Sequence, residues 1–169
     1  MQARCGICVV NLRAINLLER LHGADSANEF QIAVITQQIA NKKEGERMIL
    51  VFLDNIGYTA ADNIGVNRLS YPESIRIIKV ISVNRVRPKH IRYALDNGAD
   101  GVFIGEFPGD LMYDEVERKI QGVKNRIEEL GEDPERITFS KVYIPYFSGL
   151  ARKFNEFDAK IAELDESES

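Results

Sequence analysis

Met48-Ile49-Leu50-Val51-Phe52-Leu53 is an unbroken apolar run that ends on the acid Asp54. A run this short, with no polar residue to mark an outward face, reads as a strand buried on both sides, and such strands belong to parallel sheets. Comparable runs follow at Arg76-Ile77-Ile78-Lys79-Val80-Ile81, Gly101-Val102-Phe103-Ile104-Gly105 and Ile137-Thr138-Phe139-Ser140-Lys141-Val142-Tyr143-Ile144. Helical patterns separate them. From Asp114 to Leu130, the residues Val116, Ile120, Val123, Ile127 and Leu130 fall on one stripe of a helix, with Asp114 and Glu117 spaced as a capping box and Gly131 suited to the C-terminal cap. Leu150, Phe154, Phe157, Ile161 and Leu164 repeat that stripe. Pro88 to Asn97 opens with a proline in the first turn and stops at Gly98, and Thr59 to Val66 makes a shorter helix. The alternation predicts an α/β fold, a four-stranded parallel, flavodoxin-like doubly wound sheet with an N-terminal helical arm. Ligands of such sheets sit beyond the carboxyl ends of the strands.

Residues 1–46 read as the arm and its linker, 47–164 as the α/β domain and 165–169 as an acidic, solvated tail. Within the arm, Leu12, Ile15, Leu18 and Leu21 predict a helix that stops at Gly23. Ser26 and Glu29 suit the start of a second helix reaching about Asn41, although Phe30-Gln31-Ile32-Ala33-Val34 also alternates like a strand. Lys42-Lys43-Glu44-Gly45-Glu46 is a charged linker. An arm of this size is expected to dock on a partner or on the domain rather than to fold alone.

With 169 residues and 44% hydrophobic content the chain has enough apolar material for a compact domain. A net charge of −4 argues against general nucleic-acid binding. The sequence carries no apolar run long enough to span a bilayer, and its start lacks a signal-peptide core, so the expected location is the cytoplasm. Its two cysteines, Cys5 and Cys8, form a Cys-Gly-Ile-Cys pair ahead of the α/β domain. They read either as a reduced thiol pair or as half of an iron–sulfur or zinc site completed by a partner chain.

Chemistry would sit in the loops after the strands. Asp54 and Glu106 would end neighbouring strands, where two carboxylates bind a hard cation or share a proton, or else stand as solvated loop acids. Arg85, Arg87, Lys89, His90 and Arg92 gather at a helix start as a basic patch that would grip an acidic partner or an anionic group. The sequence offers no nucleophile–base arrangement and no glycine-rich phosphate loop, so catalysis by the isolated chain is not expected.

Several stretches together carry a resemblance: Tyr58-Thr59-Ala60-Ala61-Asp62; Tyr71-Pro72 followed by Ser74-Ile75-Arg76-Ile77-Ile78-Lys79-Val80; Arg85-Val86-Arg87-Pro88; Gly98-Ala99-Asp100-Gly101-Val102; Pro108-Gly109-Asp110 with Tyr113; and Asp133-Pro134-Glu135-Arg136-Ile137. In order and with few gaps over residues 48–165, the chain resembles the delta (iron–sulfur) subunit of methyl-viologen-reducing, F420-non-reducing hydrogenase. The resemblance implies three loops whose cysteines bind a [2Fe–2S] cluster, which passes electrons between a hydrogenase or formate dehydrogenase and the flavin subunit of heterodisulfide reductase. Carried over by position, those cysteines fall on Leu53 and Ile56 in the first loop, Ser82 in the second, and Glu106 (across a one-residue gap) and Leu111 in the third.

Iron–sulfur irons are held by Cys sulfur and occasionally by His. The resemblance therefore implies a degenerate member with no cofactor in the α/β domain: a non-catalytic structural or adaptor subunit of a heterodisulfide reductase-like or hydrogenase-associated complex, docking protein subunits through Arg85, Arg87, Lys89 and Arg92. Two alternatives stand beside it. One is an electron-transfer subunit that uses Cys5 and Cys8 with a partner chain. The other is a small-ligand-binding module in the former cluster cleft around Asp54, Ser82 and Glu106.

Overall fold

The computed structural model describes residues 26–43, 45–107, 113–129 and 133–167. The apolar runs form β1 (Ile49–Leu53), β2 (Ile75–Lys79), β3 (Gly101–Glu106) and β4 (Ile137–Lys141). All pairings are parallel and the order is β2-β1-β3-β4, the flavodoxin-like arrangement expected from the alternation of elements. Five α-helices accompany them among the described residues: α1 (Ser26–Ala40), α2 (Asn55–Val66), α3 (Pro88–Asp96), α4 (Tyr113–Glu129) and α5 (Phe147–Ser167).

Strand alternation divides the core into two layers. Leu50, Phe52, Val102 and Ile104 face one side, where Ile35 of α1, Ile91 and Ala94 of α3 and the α4 stripe Ile120, Val123 and Ile127 cover them. Ile49, Val51, Leu53 and Phe103 face the other, against Ala60, Ala61 and Ile64 of α2 and Leu150, Phe154, Phe157 and Ile161 of α5. Phe154 meets Phe103 edge-to-face at 5.1 Å between ring centres, a geometry that ring quadrupoles favour. The remaining ends of the α4 stripe, Val116 and Leu130, and its expected caps lie outside the side chains described.

Only the central strands are buried on both faces. Every residue of β1 and β3 is buried, whereas β2 and β4 are edges with half-exposed interiors. β2 stops at Lys79, and Ile81, expected inside the strand, is 84% exposed. β4 stops at Lys141 rather than Ile144, because Pro145 cannot donate to a ladder and sits in a one-turn 3-10 helix at Ile144–Tyr146. α2 begins at Asn55, earlier than the expected Thr59. The stretch Phe30–Val34 is helical. α5 runs on to Ser167, past the expected end at Leu164, so residues 165–167 continue a helix rather than fray.

The segment ahead of β1 is tied to the domain. Thr36 Oγ1 and Tyr93 OH lie 2.9 Å apart across α1 and α3, and Ile35 is fully buried. Asp100 is the hub at the start of β3. Its Oδ2 accepts from Met48 N–H at 2.6 Å and from the Lys42 ammonium at 2.7 Å, and its own N–H donates to Met48 O at 2.8 Å. Arg136 donates both to Asp100 O and to Asp165 Oδ1, at 2.9 Å each, which anchors the end of α5. Gly98, with φ +104°, makes the left-handed turn into this hub that other residues rarely adopt. No helix among the described residues is long and apolar enough to cross a membrane.

Candidate functional site

In this topology the strand order reverses between β1 and β3, and the crevice beyond their carboxyl ends is where ligands of such sheets bind. Four of the five sequence-expected positions come to this rim: Leu53 ends β1, Ile56 lies in the first turn of α2, Ser82 follows β2, and Glu106 ends β3. Leu111, Cys5 and Cys8 lie outside the described residues.

Leu53 is fully buried. Its side chain lies over Gly105, directly across the ladder, where a methyl group built on the glycine would stand 2.6 Å from Leu53 Cδ2 and 2.7 Å from Val142 Cγ2. The space between the ends of β1 and β3 is therefore occupied by hydrocarbon. Ile56 is half-buried beside it, and Ser82 is half-buried, its carbonyl accepting from Arg85 N–H at 3.1 Å.

The acids at the rim are not solvated. Asp54 is 8% and Glu106 1% exposed. Asp54 is the N-cap of α2: Oδ1 accepts from Gly57 N–H at 2.5 Å, satisfying a helix donor that has no partner within the helix. Its Oδ2 accepts from Phe107 N–H at 3.4 Å, across the switch point. With Val80 N–H donating to Leu53 O at 2.8 Å and Val142 N–H to Glu106 O at 2.9 Å, each neighbouring pair of strand ends is joined by a further hydrogen bond beyond the ladder or from a cap. Both Asp54 oxygens are committed to amide groups. Among the described residues no group of three or more His, Cys, Asp and Glu side chains gathers as cation ligands do.

The basic patch is brought together in part. Arg85, Arg87 and Lys89 stand around the start of α3, with Arg87 and Lys89 exposed, and Arg92 pairs with Asp96 one turn on, at 3.3 Å. His90 does not belong to it. It is fully buried, and its Nδ1 accepts from Arg87 N–H at 3.0 Å, so the ring acts as a helix cap.

The sequence reading missed a second set of groups at the same end of the sheet. Phe107, Tyr143 and Tyr146 form an edge-to-face ladder with ring centres 6.1 Å and 6.0 Å apart. The Lys79 ammonium lies 4.9 Å from the centre of the Tyr58 ring, a cation–π contact. Of the large hydrophobic side chains exposed among the described residues, Ile81, Tyr143, Ile144 and Tyr146 sit beyond the carboxyl ends of the strands. The signal was Pro145, which ends the strand and turns its last apolar residues outward.

A profile of the methyl-viologen-reducing hydrogenase delta subunit family (FlpD) matches residues 49–165. The chain belongs to that family. It is 38% identical over 115 residues to the iron–sulfur subunit of the vhu F420-non-reducing hydrogenase of Methanopyrus kandleri, a match covering 65% of this chain and 82% of that one. It is 44% identical over 85 residues to the iron–sulfur subunit of the vhc F420-non-reducing hydrogenase of Methanococcus voltae, covering 47% of this chain and 59%, less than two thirds, of that protein. A third similarity, 26% over 142 residues, is to one subunit of the ferredoxin/F420H2-dependent CoB-CoM heterodisulfide reductase of Methanosarcina acetivorans, where the match covers 81% of this chain and 18% of the longer protein. That share is larger than the residues from 49 onward provide, so this match also takes in part of the segment ahead of β1.

The groups at the expected ligand positions do not fit an iron–sulfur cluster. Leu53 and Ile56 carry no donor atom, Leu53 is enclosed by Gly105 and Val142, and Ser82 and Glu106 offer hard oxygen to a soft metal.

Proposed function

We propose that this FlpD family member is a cytoplasmic, non-catalytic adaptor subunit of a heterodisulfide reductase-like or hydrogenase-associated electron-transfer complex, and that its α/β domain holds no [2Fe–2S] cluster. The observation that carries the reading is the contrast at the carboxyl end of the sheet. Inside, the switch point is filled by Leu53 and bridged by Asp54. Outside, exposed Ile81 is followed by Arg85, Arg87 and Lys89 beyond β2, and exposed Tyr143, Ile144 and Tyr146 stand beyond β4 at the opposite edge. A switch point filled by side chains and flanked by aromatic and cationic groups supports docking of a protein surface, since aromatic residues and arginine are enriched where proteins meet. A pocket for a small ligand would need the space that the Leu53 side chain takes.

The deciding experiment is anaerobic purification of the chain in its native complex, with iron and sulfide quantitation and a visible spectrum. The expected result is a chain that co-purifies with its partners and, once separated from them, is colourless and iron-free. Charge reversal at Arg85, Arg87 and Lys89 should weaken that co-purification and leave thermal stability unchanged. Stoichiometric iron that is lost on Cys5→Ser would instead establish the chain as an electron carrier. Recovery of the chain alone as a stable monomer at natural abundance would overturn the adaptor assignment.

A further inference from the structure

β4 ends at Lys141, Val142 turns into the core, and Pro145 then holds the chain in a single 3-10 turn before α5 begins. This corner borders a cleft of about 530 Å³ lined by Tyr143, Tyr146, Gly149, Lys141, Arg152 and Lys153. Every charged side chain lining it is a cation, although the chain as a whole carries −4. The Lys153 ammonium is fixed in place by donation to Ser140 Oγ at 2.6 Å and Lys141 O at 2.9 Å. Burial first, and then the neighbouring Arg152, hold its pKa below that of an ordinary lysine. The opposing acid is Glu156, 3.5 Å from Arg152 in an exposed pair that contributes little.

The floor of the cleft adds an independent observation. Gly149 lies in the first turn of α5 without a positive φ, and a Cβ built on it would meet only Tyr146 Cβ, at 3.9 Å. Neither the backbone nor neighbouring atoms require glycine there, and glycine weakens a helix relative to alanine. What it does is keep the space between Tyr146 and the basic wall open.

We infer that this cleft binds an acidic segment of a partner protein that carries an aromatic or aliphatic anchor, the anchor entering over Gly149 beside Tyr143 and Tyr146 and the carboxylates meeting Lys141, Arg152 and Lys153. The assignment rests on the shape and charge of the β4–α5 corner and does not depend on the state of the loops after β1 to β3.

The test is fluorescence anisotropy of the full chain with a labelled peptide of alternating glutamate and phenylalanine, and with its lysine–phenylalanine counterpart of equal length. The acidic peptide should bind saturably, at least about tenfold more tightly than the basic one, and more weakly as salt is raised. Gly149→Leu should weaken binding by about tenfold or more while the melting temperature holds or rises, because leucine is the better helix former. Should that variant fail to fold, Tyr146→Ala, at a side chain 68% exposed, takes its place with the same expectation. Reversing Lys141 and Arg152 to glutamate should abolish the preference for the acidic peptide. The inference is overturned by absence of acidic-peptide binding, by equal binding of the basic peptide, by affinity unchanged in the cleft-filling variant, or by pyrophosphate competing as fully as unlabelled peptide.

Discussion

Replacing Gly105 by alanine tests whether Leu53 plugs the rim of the sheet. The new methyl would stand 2.6 Å from Leu53 Cδ2 and 2.7 Å from Val142 Cγ2, well inside the ~3.5–4.0 Å at which carbon atoms rest. Leu53 is fully enclosed and the β-branched Val142 is stiff, so neither side chain swings clear. Overpacking of this kind costs roughly 1–3 kcal/mol, or about 2–12 °C in melting temperature for a chain of this length. Leu53→Ala, which empties the same space, should cost roughly 2–5 kcal/mol. In the double variant the added methyl enters the volume that the isobutyl group leaves, so the two losses should fall short of adding by about 0.5–3 kcal/mol. Urea denaturation of the four proteins measures this directly. Additivity to within roughly 0.5 kcal/mol would refute the claim that Leu53 occupies the space over Gly105.

Two further expectations concern the other end of the strands. Asp100→Ala leaves the buried Met48 N–H without its acceptor and breaks the ion pair with Lys42, and should lower stability by about 1–3 kcal/mol in a denaturant titration; Lys42→Met, which removes the part-exposed ion pair and an exposed hydrogen bond to Gly98 O, should cost less, about 1 kcal/mol. At Glu46, the hydrogen bond from Lys43 N–H, opposed by partial burial and helped by Arg76, holds the carboxyl below its usual 4.5. The fold thus favours its ionised form, so its contribution is present above pH 4.5 and lost as pH falls through the lowered value. Glu46→Gln should be less stable than the parent at neutral pH and equal to it in strong acid; a gap that persists unchanged in acid would count against this origin.

The central strands were legible in the sequence because β1 and β3 are buried on both faces and their residues say so. The edges were less so. Lys79 and Lys141 end β2 and β4 at the rim, but the apolar residues that follow them look like more strand until the turn at Pro145 and the exposure of Ile81 are seen. The start of α2 was hidden by Gly57, a poor helix former whose N–H is nevertheless the one that Asp54 caps. Phe30–Val34 fits two periodicities, and packing of Ile35 into the core selects the helix. Burial of Asp54, His90 and Glu106 has no local sequence signal, since a charged residue in a loop is ordinarily solvated. The aromatic corner at Tyr143 and Tyr146 was hidden in turn by the apolar run it continues, which reads as strand up to Ile144.

The stretch Gly98-Ala99-Asp100-Gly101-Val102, among the clearest of those that carried the family resemblance, lies where β3 begins, at the opposite end of the strands from the loops. Its work is mechanical: Gly98 makes the turn, and Asp100 ties β1, the preceding segment and Arg136 together. The turn and its ties thus hold the start of β3 independently of the groups that stand at the far rim. A likeness carried by this stretch reports on the end of the domain that holds the strands in register, so any statement about the groups at the other end calls for reading the residues where β1 and β3 end.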